Sequence, residues 1–178
     1  VGSTPVGRDV VYKGCGATGK RVIAQCGAKN FALVMPDADL PGTIAACMTS
    51  FFGNAGQRCL ANANLVVVGE GMRSQEHEAF YRRVVDAFTE AASKISVGYG
   101  LDESVQMGPL RDVAKKQRVV SYIEQGVAEG ARLVLDGRRF TLQGNYPPDA
   151  FLGPTVFEAV TPDMVIAQEE IFGPVANM

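Results

Sequence analysis

Apolar side chains recur every three to four residues in three stretches of the chain, and each predicts a helix with one buried face. Over residues 40–52 the small and apolar positions Ile44, Ala45, Met48 and Phe51 keep that spacing, and Gly53 closes the stretch. Over residues 76–93 Phe80, Val84, Phe88 and Ala92 stand four apart, and a third amphipathic stretch covers 113–129. Residues 8–13 are helix-compatible behind a turn-rich opening of small residues at 2–7. Short apolar runs bounded by turn residues predict strands. Residues 22–24 and 32–35 read as buried strands on either side of Gly27-Ala28-Lys29-Asn30, and 64–68 is β-branched enough to be central in a sheet. Pro36-Asp37-Ala38-Asp39 is a turn, while 131–135, 140–142 and 155–160 add strands separated by Asp136-Gly137 and Gly144-Asn145-Tyr146-Pro147-Pro148. Val165-Ile166-Ala167 is the last strand candidate. Strands alternating with helices predict a layered α/β fold.

Composition narrows the function classes. A chain of 178 residues has room for one ordinary domain, and 47% hydrophobic with 20% charged residues and a net charge of −2 is a globular composition, not a disordered one. Lys and Arg are scattered without interleaved aromatics, which argues against a nucleic-acid partner. No apolar run approaches the roughly 18 residues of a spanning helix, which argues against a membrane segment. Cys15, Cys26, Cys47 and Cys59 are far apart, without a C-x-x-C pair, and His77 is the one histidine, so no metal site is expected and the thiols read as reduced. The chain opens on Val1 and runs directly into Gly2-Ser3-Thr4-Pro5, so it reads as an internal piece of a longer protein whose compartment is left open.

One cysteine stands in a setting suited to chemistry. Cys59 follows Gly53-Asn54-Ala55-Gly56-Gln57-Arg58, in the loop after a predicted buried helix and beside a guanidinium that favours the thiolate, the form that attacks electrophiles. The plainer reading makes Cys59 a small core residue and Arg58 half of a surface ion pair. Glu169 and Glu170 are likewise a solvated charge pair, and Phe172 a core aromatic, when taken alone. Spacing by itself leaves both readings open.

Taken together, Gly2-Ser3-Thr4 with Gly7-Arg8, then Gly27-Ala28-Lys29-Asn30, Gly53-x-x-Gly56-Gln57-Arg58-Cys59 and Glu169-Glu170-Ile171-Phe172-Gly173-Pro174 resemble four signatures of the aldehyde dehydrogenase superfamily, in order along the whole chain. The resemblance implies a Rossmann-type cofactor domain, a catalytic domain built as a three-layer α/β sandwich, and an oligomerisation strand. Residues 1–25 would then be the end of the NAD-binding domain, and 26–178 the catalytic domain, incomplete at its C-terminus. It makes Cys59 the nucleophile, Glu170 the carboxylate that holds the nicotinamide ribose, and Phe172 the aromatic packed beside the nicotinamide. Gly2 and Ser3 would form the turn and helix start near the cofactor pyrophosphate, where backbone N–H groups and a hydroxyl suit an anion. It further implies a small aldehyde as substrate, NAD without a decision against NADP, and a dimeric or tetrameric complete enzyme in the cytoplasm or mitochondrial matrix.

The chain departs from the hydrolytic members at Gln25. They carry Glu-Leu-Gly-Gly-Lys where this chain has Gln25-Cys26-Gly27-Ala28-Lys29, and an amide cannot take a proton from water at neutral pH. A thiol ionises more readily than water, so coenzyme A suits the vacant role of acyl acceptor. With Gly130-Ala131-Arg132-Leu133-Val134-Leu135-Asp136-Gly137-Arg138, the pattern is similar to the methylmalonate-semialdehyde dehydrogenase branch of the family. In that branch the arginine before the nucleophile, here Arg58, helps hold the substrate carboxylate, a role for which a planar charged fork is suited. The implied reaction is NAD-dependent, coenzyme A-acylating oxidation of malonate or methylmalonate semialdehyde to acetyl- or propionyl-coenzyme A with loss of carbon dioxide. The alternatives are a hydrolytic relative that activates water by another group, and an inactive fragment or structural domain that keeps the fold.

Overall fold

A computed structural model describes residues 1–69 and 75–178. The first helical segment runs without a break through α1 (Thr4–Val6), a π-helical stretch (Gly7–Tyr12) and α2 (Lys13–Ala17), so the helix expected at 8–13 is there and begins a turn earlier. β1 (Asn30–Val34) leads to α3 (Leu40–Phe52), whose first turn is capped by the Asp39 carboxylate accepting from Gly42 N. Such a cap contributes about 1 kcal/mol. A 3₁₀ turn (Gly53–Gly56), β2 (Asn62–Val67) and α4 (Gln75–Ser93) follow. Then come β3 (Val97–Gly98), α5 (Val113–Ala128), β4 (Arg132–Leu135), β5 (Leu142–Gln143), a 3₁₀ turn (Pro148–Ala150), β6 (Thr155–Glu158), α6 (Val165–Gln168) and β7 (Val175–Asn177). Among the described residues no helix is long and apolar enough to cross a membrane.

Five strands form one sheet in the order β1-β2-β7-β6-β4, parallel except for β4, and β3 and β5 form a small parallel pair. Helices cover both faces, as the alternation of β6 shows. Phe157 packs beneath Gly126 of α5, while its neighbour Glu158 points the other way and accepts from Arg82 of α4 at 3.0 Å. The α3/α4 layer is joined by Phe51, Phe52 and Phe88, the first and last meeting edge to face at 5.2 Å. Every residue of β6 is therefore buried, and the three-layer α/β sandwich is the observed architecture. Glu158 also pairs with Arg132, so its buried carboxylate has two cations against the several kcal/mol that desolvation of a charge costs.

Four local expectations are corrected. Residues 22–24 form no strand: Ile23 is 86% exposed and the only bridge nearby is Gly2 with Cys26, so the run has no ladder to join among the described residues. The strand at 32–35 exists but lies on the sheet edge with Phe31 and Leu33 more than half exposed. In α3 the buried position is Cys47 and not Ala45. Val165-Ile166-Ala167 is helical because tertiary partners satisfy its ends. Glu129 accepts from Val165 N at 2.9 Å, and Asn177 and Asn64 donate to the carbonyls of Ile166 and Ala167. The strand that pairs there is β7, ten residues later, between β2 and β6.

Candidate active site

Three loops enter three adjacent parallel strands from the same edge of the sheet. Residues 25–29 lead into β1, residues 57–61 into β2 and residues 169–174 into β7. Open α/β sheets usually hold ligands at the carboxyl ends of their strands, whereas this convergence is at the amino ends. The motif at residues 169–174 thus meets those around Gln25 and Cys59 through sheet order, while the motif at residues 130–138 lies with β4 at the far edge of the sheet.

The middle loop is tightly constrained. Asn54 and Ala55 adopt left-handed backbone (φ 54° and 52°), and Gly56 follows at φ 69°. Non-glycine residues held there store on the order of 1 to 3 kcal/mol each, which surrounding contacts must offset. Asn54 Nδ2 donates to Gln57 O at 3.2 Å, Gln57 Nε2 donates to Asn54 O and to Pro109 O, and Gln57 Oε1 accepts from Arg111 N at 2.9 Å. At the start of β1, Asn30 Nδ2 donates to the carbonyls of Cys59 and Ala61, both at 2.9 Å. The backbone on each side of Cys59 is therefore tied to neighbouring elements while its thiol is exposed. Cys15 and Cys26 are half-buried, and burial of Cys47 pushes its thiol pKa up, which disfavours its thiolate.

The third loop is clamped from α5. Arg118 donates to the carbonyls of Glu170 (3.0 Å) and Ile171 (3.4 Å), and Tyr122 donates to the Glu169 carboxylate at 2.6 Å. The Glu170 carboxylate accepts from Ala28 N at 3.3 Å, linking this loop to the first. Phe172 is left-handed at φ 58°. Beneath them the Lys29 ammonium is buried without a hydrogen-bond acceptor among the described residues. Loss of water lowers its pKa from 10.5 to about 8, with the negative charge of Glu170 opposing the shift.

One cleft of about 760 Å³ is lined by Gly2, Ser3, Gln25, Cys59, Glu170 and Phe172, together with a basic wall of Arg111, Lys115 and Arg118. Six of the seven positions singled out in the sequence therefore share a single opening. Ser3 stands at the start of α1, and its hydroxyl makes no capping bond there among the described residues. Arg58 is the seventh, and it faces a second depression of about 580 Å³ with Thr49, Ser50, Cys59 and Leu60. Its Nη2 donates to Thr49 O, and to Ser50 O at 3.5 Å, so its guanidinium rests on the last turn of α3. Cys59 belongs to both openings. Among the described residues no three His, Cys, Asp or Glu side chains converge as metal ligands would. Asn30 and Gln57 lie inside motifs that sequence reading quotes without giving them a task, and Arg118 carries no local signal because its role depends on packing between α5 and the third loop.

The description of the aldehyde dehydrogenase family matches residues 1–178 in full. Malonate-semialdehyde dehydrogenase 1 of Geobacillus thermodenitrificans is 46% identical over 179 residues, covering 100% of this chain and 34% of that protein. The structure of methylmalonate-semialdehyde dehydrogenase from Oceanimonas doudoroffii superposes with a TM-score of 0.88 at 37% identity, over 99% of this chain and 34% of that one. The NAD⁺ complex of an aldehyde dehydrogenase from Bacillus cereus gives 0.82 at 32% identity, over 99% of this chain and 33% of the other. The chain spans about a third of the length of these relatives.

Proposed function

The chain belongs to the aldehyde dehydrogenase family, and we propose that it carries the nucleophile and half of the cofactor cleft of an NAD-dependent, coenzyme A-acylating malonate or methylmalonate semialdehyde dehydrogenase. The observation that carries this reading is the shared opening in which Cys59 and the amide of Gln25 lie together with Ser3, Glu170 and Phe172. In this reading residues 1–25 close the cofactor domain and 26–178 begin the catalytic one. The relatives' names support the semialdehyde, and the NAD⁺ complex supports the cofactor. Those relatives are bacterial, so the mitochondrial matrix gains no support, and assembly of the complete enzyme as a dimer or tetramer is part of the proposal.

Cys59 attacks the aldehyde carbon as the thiolate, forming a C–S bond and an alkoxide on the former carbonyl oxygen. NAD, when bound, supplies the acceptor for the hydride that leaves this carbon. Glu170 would hold a ribose hydroxyl, Phe172 would pack beside the ring, and Gly2 and Ser3 would meet the pyrophosphate with N–H and O–H donors. Arg111, Lys115 and Arg118 suit phosphate-bearing ligands by charge. Collapse of the alkoxide leaves an acyl thioester on Cys59 whose β-carboxylate is held by Arg58. The thioester carbonyl accepts the electron pair of the breaking C–C bond as carbon dioxide departs, and the resulting carbanion takes a proton. The thiolate of coenzyme A then attacks the thioester and Cys59 leaves.

Gln25 is where this reading separates from hydrolysis. The amide neither accepts a proton from water nor carries a charge, so water near the thioester is not activated by it. Gln25→Glu is expected to raise thiol-independent release of the acyl group by about tenfold or more, since a positioned carboxylate base contributes roughly 10²- to 10⁴-fold where its geometry is right. The measurement is steady-state NADH formation with no thiol present. A variant that hydrolyses no faster than the parent would show that position 25 does not reach the thioester.

A further inference from the structure

The turn that returns the chain from α3 to Cys59 contains a glycine with no backbone reason to be one. Gly53 has φ −55° and ψ 131°, an extended conformation open to any residue. What its missing side chain provides is room. A Cβ at this position would lie 2.5 Å from Nη2 of Arg58 and 3.0 Å from its Cζ, well inside van der Waals contact. The guanidinium fills that room because Nη2 donates to the carbonyls of Thr49 and Ser50, at the negative end of α3. With Nη2 fixed, Nε and Nη1 make no hydrogen bond among the described residues, and Arg58 borders the depression shared with Cys59.

We propose that Gly53 is a positioning residue for substrate selection: it leaves the space in which Arg58 docks on the end of α3, and this docking presents the arginine's remaining N–H donors to the carboxylate of a short 3-oxo acid bound at Cys59. The inference rests on the assignment of Arg58 to the substrate carboxylate. A side chain at position 53 meets only the far end of a flexible arginine, which swings aside at little cost. Alanine there displaces the charge without prying apart the backbone, so substrate preference changes while the fold does not. The α3 carbonyls also hold one end of the guanidinium before substrate arrives, so little rotamer freedom is lost when the carboxylate binds. Gly53 thereby acts on acids and not on aldehydes in general.

The test is a mutant cycle in the complete enzyme with Gly53→Ala, Arg58→Leu and both together, read as the ratio of kcat/KM for malonate semialdehyde to that for propanal. Gly53→Ala is expected to lower this ratio about tenfold or more, mostly through KM for the acid, with a thermal midpoint close to that of the parent. In the Arg58→Leu background the same alanine should change the ratio little, because the group it displaces is gone. If Arg58→Leu lowers the ratio and Gly53→Ala does not, the role of Gly53 is overturned while Arg58 keeps its own. If Arg58→Leu leaves the ratio unchanged, the assignment of Arg58 fails and the proposal fails with it. A Gly53→Ala enzyme that loses both substrates equally, keeps its full effect without Arg58, or does not fold would show that Gly53 serves the backbone of the loop and overturn the inference.

Discussion

In the complete enzyme, Cys59→Ala is expected to lower kcat/KM for aldehyde oxidation by at least about a thousandfold, because it removes the sulfur proposed to form the acyl bond that splits the reaction into two easier steps, and Cys26, the other thiol lining the cleft, is half-buried. Cys59 is the exposed thiol of the four, and its own carbonyl and that of Ala61 accept from Asn30. Loss of the sulfur leaves that loop intact, so the variant should fold and still bind its ligands. Serine at the same position should fare little better, since a hydroxyl is far less ionised than a thiol and the cleft offers it no histidine base. Kinetics of both variants supply the measurement, and activity above about a tenth of the parent's would remove Cys59 from this role. Iodoacetamide should also label Cys59 before Cys15, Cys26 and Cys47, the last of which is held protonated by burial.

Gly56→Ala has the second-largest expected effect, and it contrasts with alanine three residues earlier. A Cβ on Gly56 would lie 2.2 Å from the Gly173 oxygen and 2.7 Å from its carbonyl carbon, which are backbone atoms of the neighbouring loop and cannot rotate away. The left-handed φ of 69° adds about 1 to 2 kcal/mol for any L side chain. Overpacking of a close backbone contact adds about 1 to 3 kcal/mol more. The Cys59 and Glu170 loops would have to separate, so activity should fall for charged and uncharged aldehydes alike, with a stability loss of about 3 kcal/mol. Thermal unfolding and kinetics on both aldehydes check this. A Gly56→Ala enzyme of parental stability and activity would mean that the two loops do not press together as described.

How much of this was legible beforehand follows from what each signal depends on. The long helices α3, α4 and α5 are carried by a period of 3.6 within one stretch of chain, and their ends fall where the pattern stops. α6 and β7 are elements of four and three residues, defined by partners far away. Val165 becomes helical because Glu129 caps it, and Val175–Asn177 becomes a strand because β2 and β6 flank it. Neither partner is visible in local composition. Val22, Ile23 and Ala24 have the composition of a strand, yet a strand needs a ladder as well as a composition.

The candidate site divides in the same way. Cys59, Glu170, Phe172, Ser3 and Gln25 could be named from motifs, and one cleft does bring them together. Their meeting follows from the position of β7 beside β2, so the sequence could nominate the residues but not explain the assembly. The same holds for Arg118, whose hydrogen bonds to Glu170 and Ile171 join residues 52 and 53 positions apart in the chain. Arg58 is adjacent to Cys59 in sequence, and only the folded chain turns its guanidinium onto the carbonyls of α3.

The central claim is that the acyl group formed on Cys59 waits for a thiol because position 25 carries an amide. It is tested most directly by counting NADH released per active site when the complete enzyme meets malonate semialdehyde and NAD without coenzyme A. The account predicts a burst of about one equivalent per site that then stops, and steady formation as soon as coenzyme A is added. Sustained turnover of the unmodified enzyme with no thiol acceptor present would contradict it, and would leave Cys59 as the nucleophile of a hydrolytic aldehyde dehydrogenase.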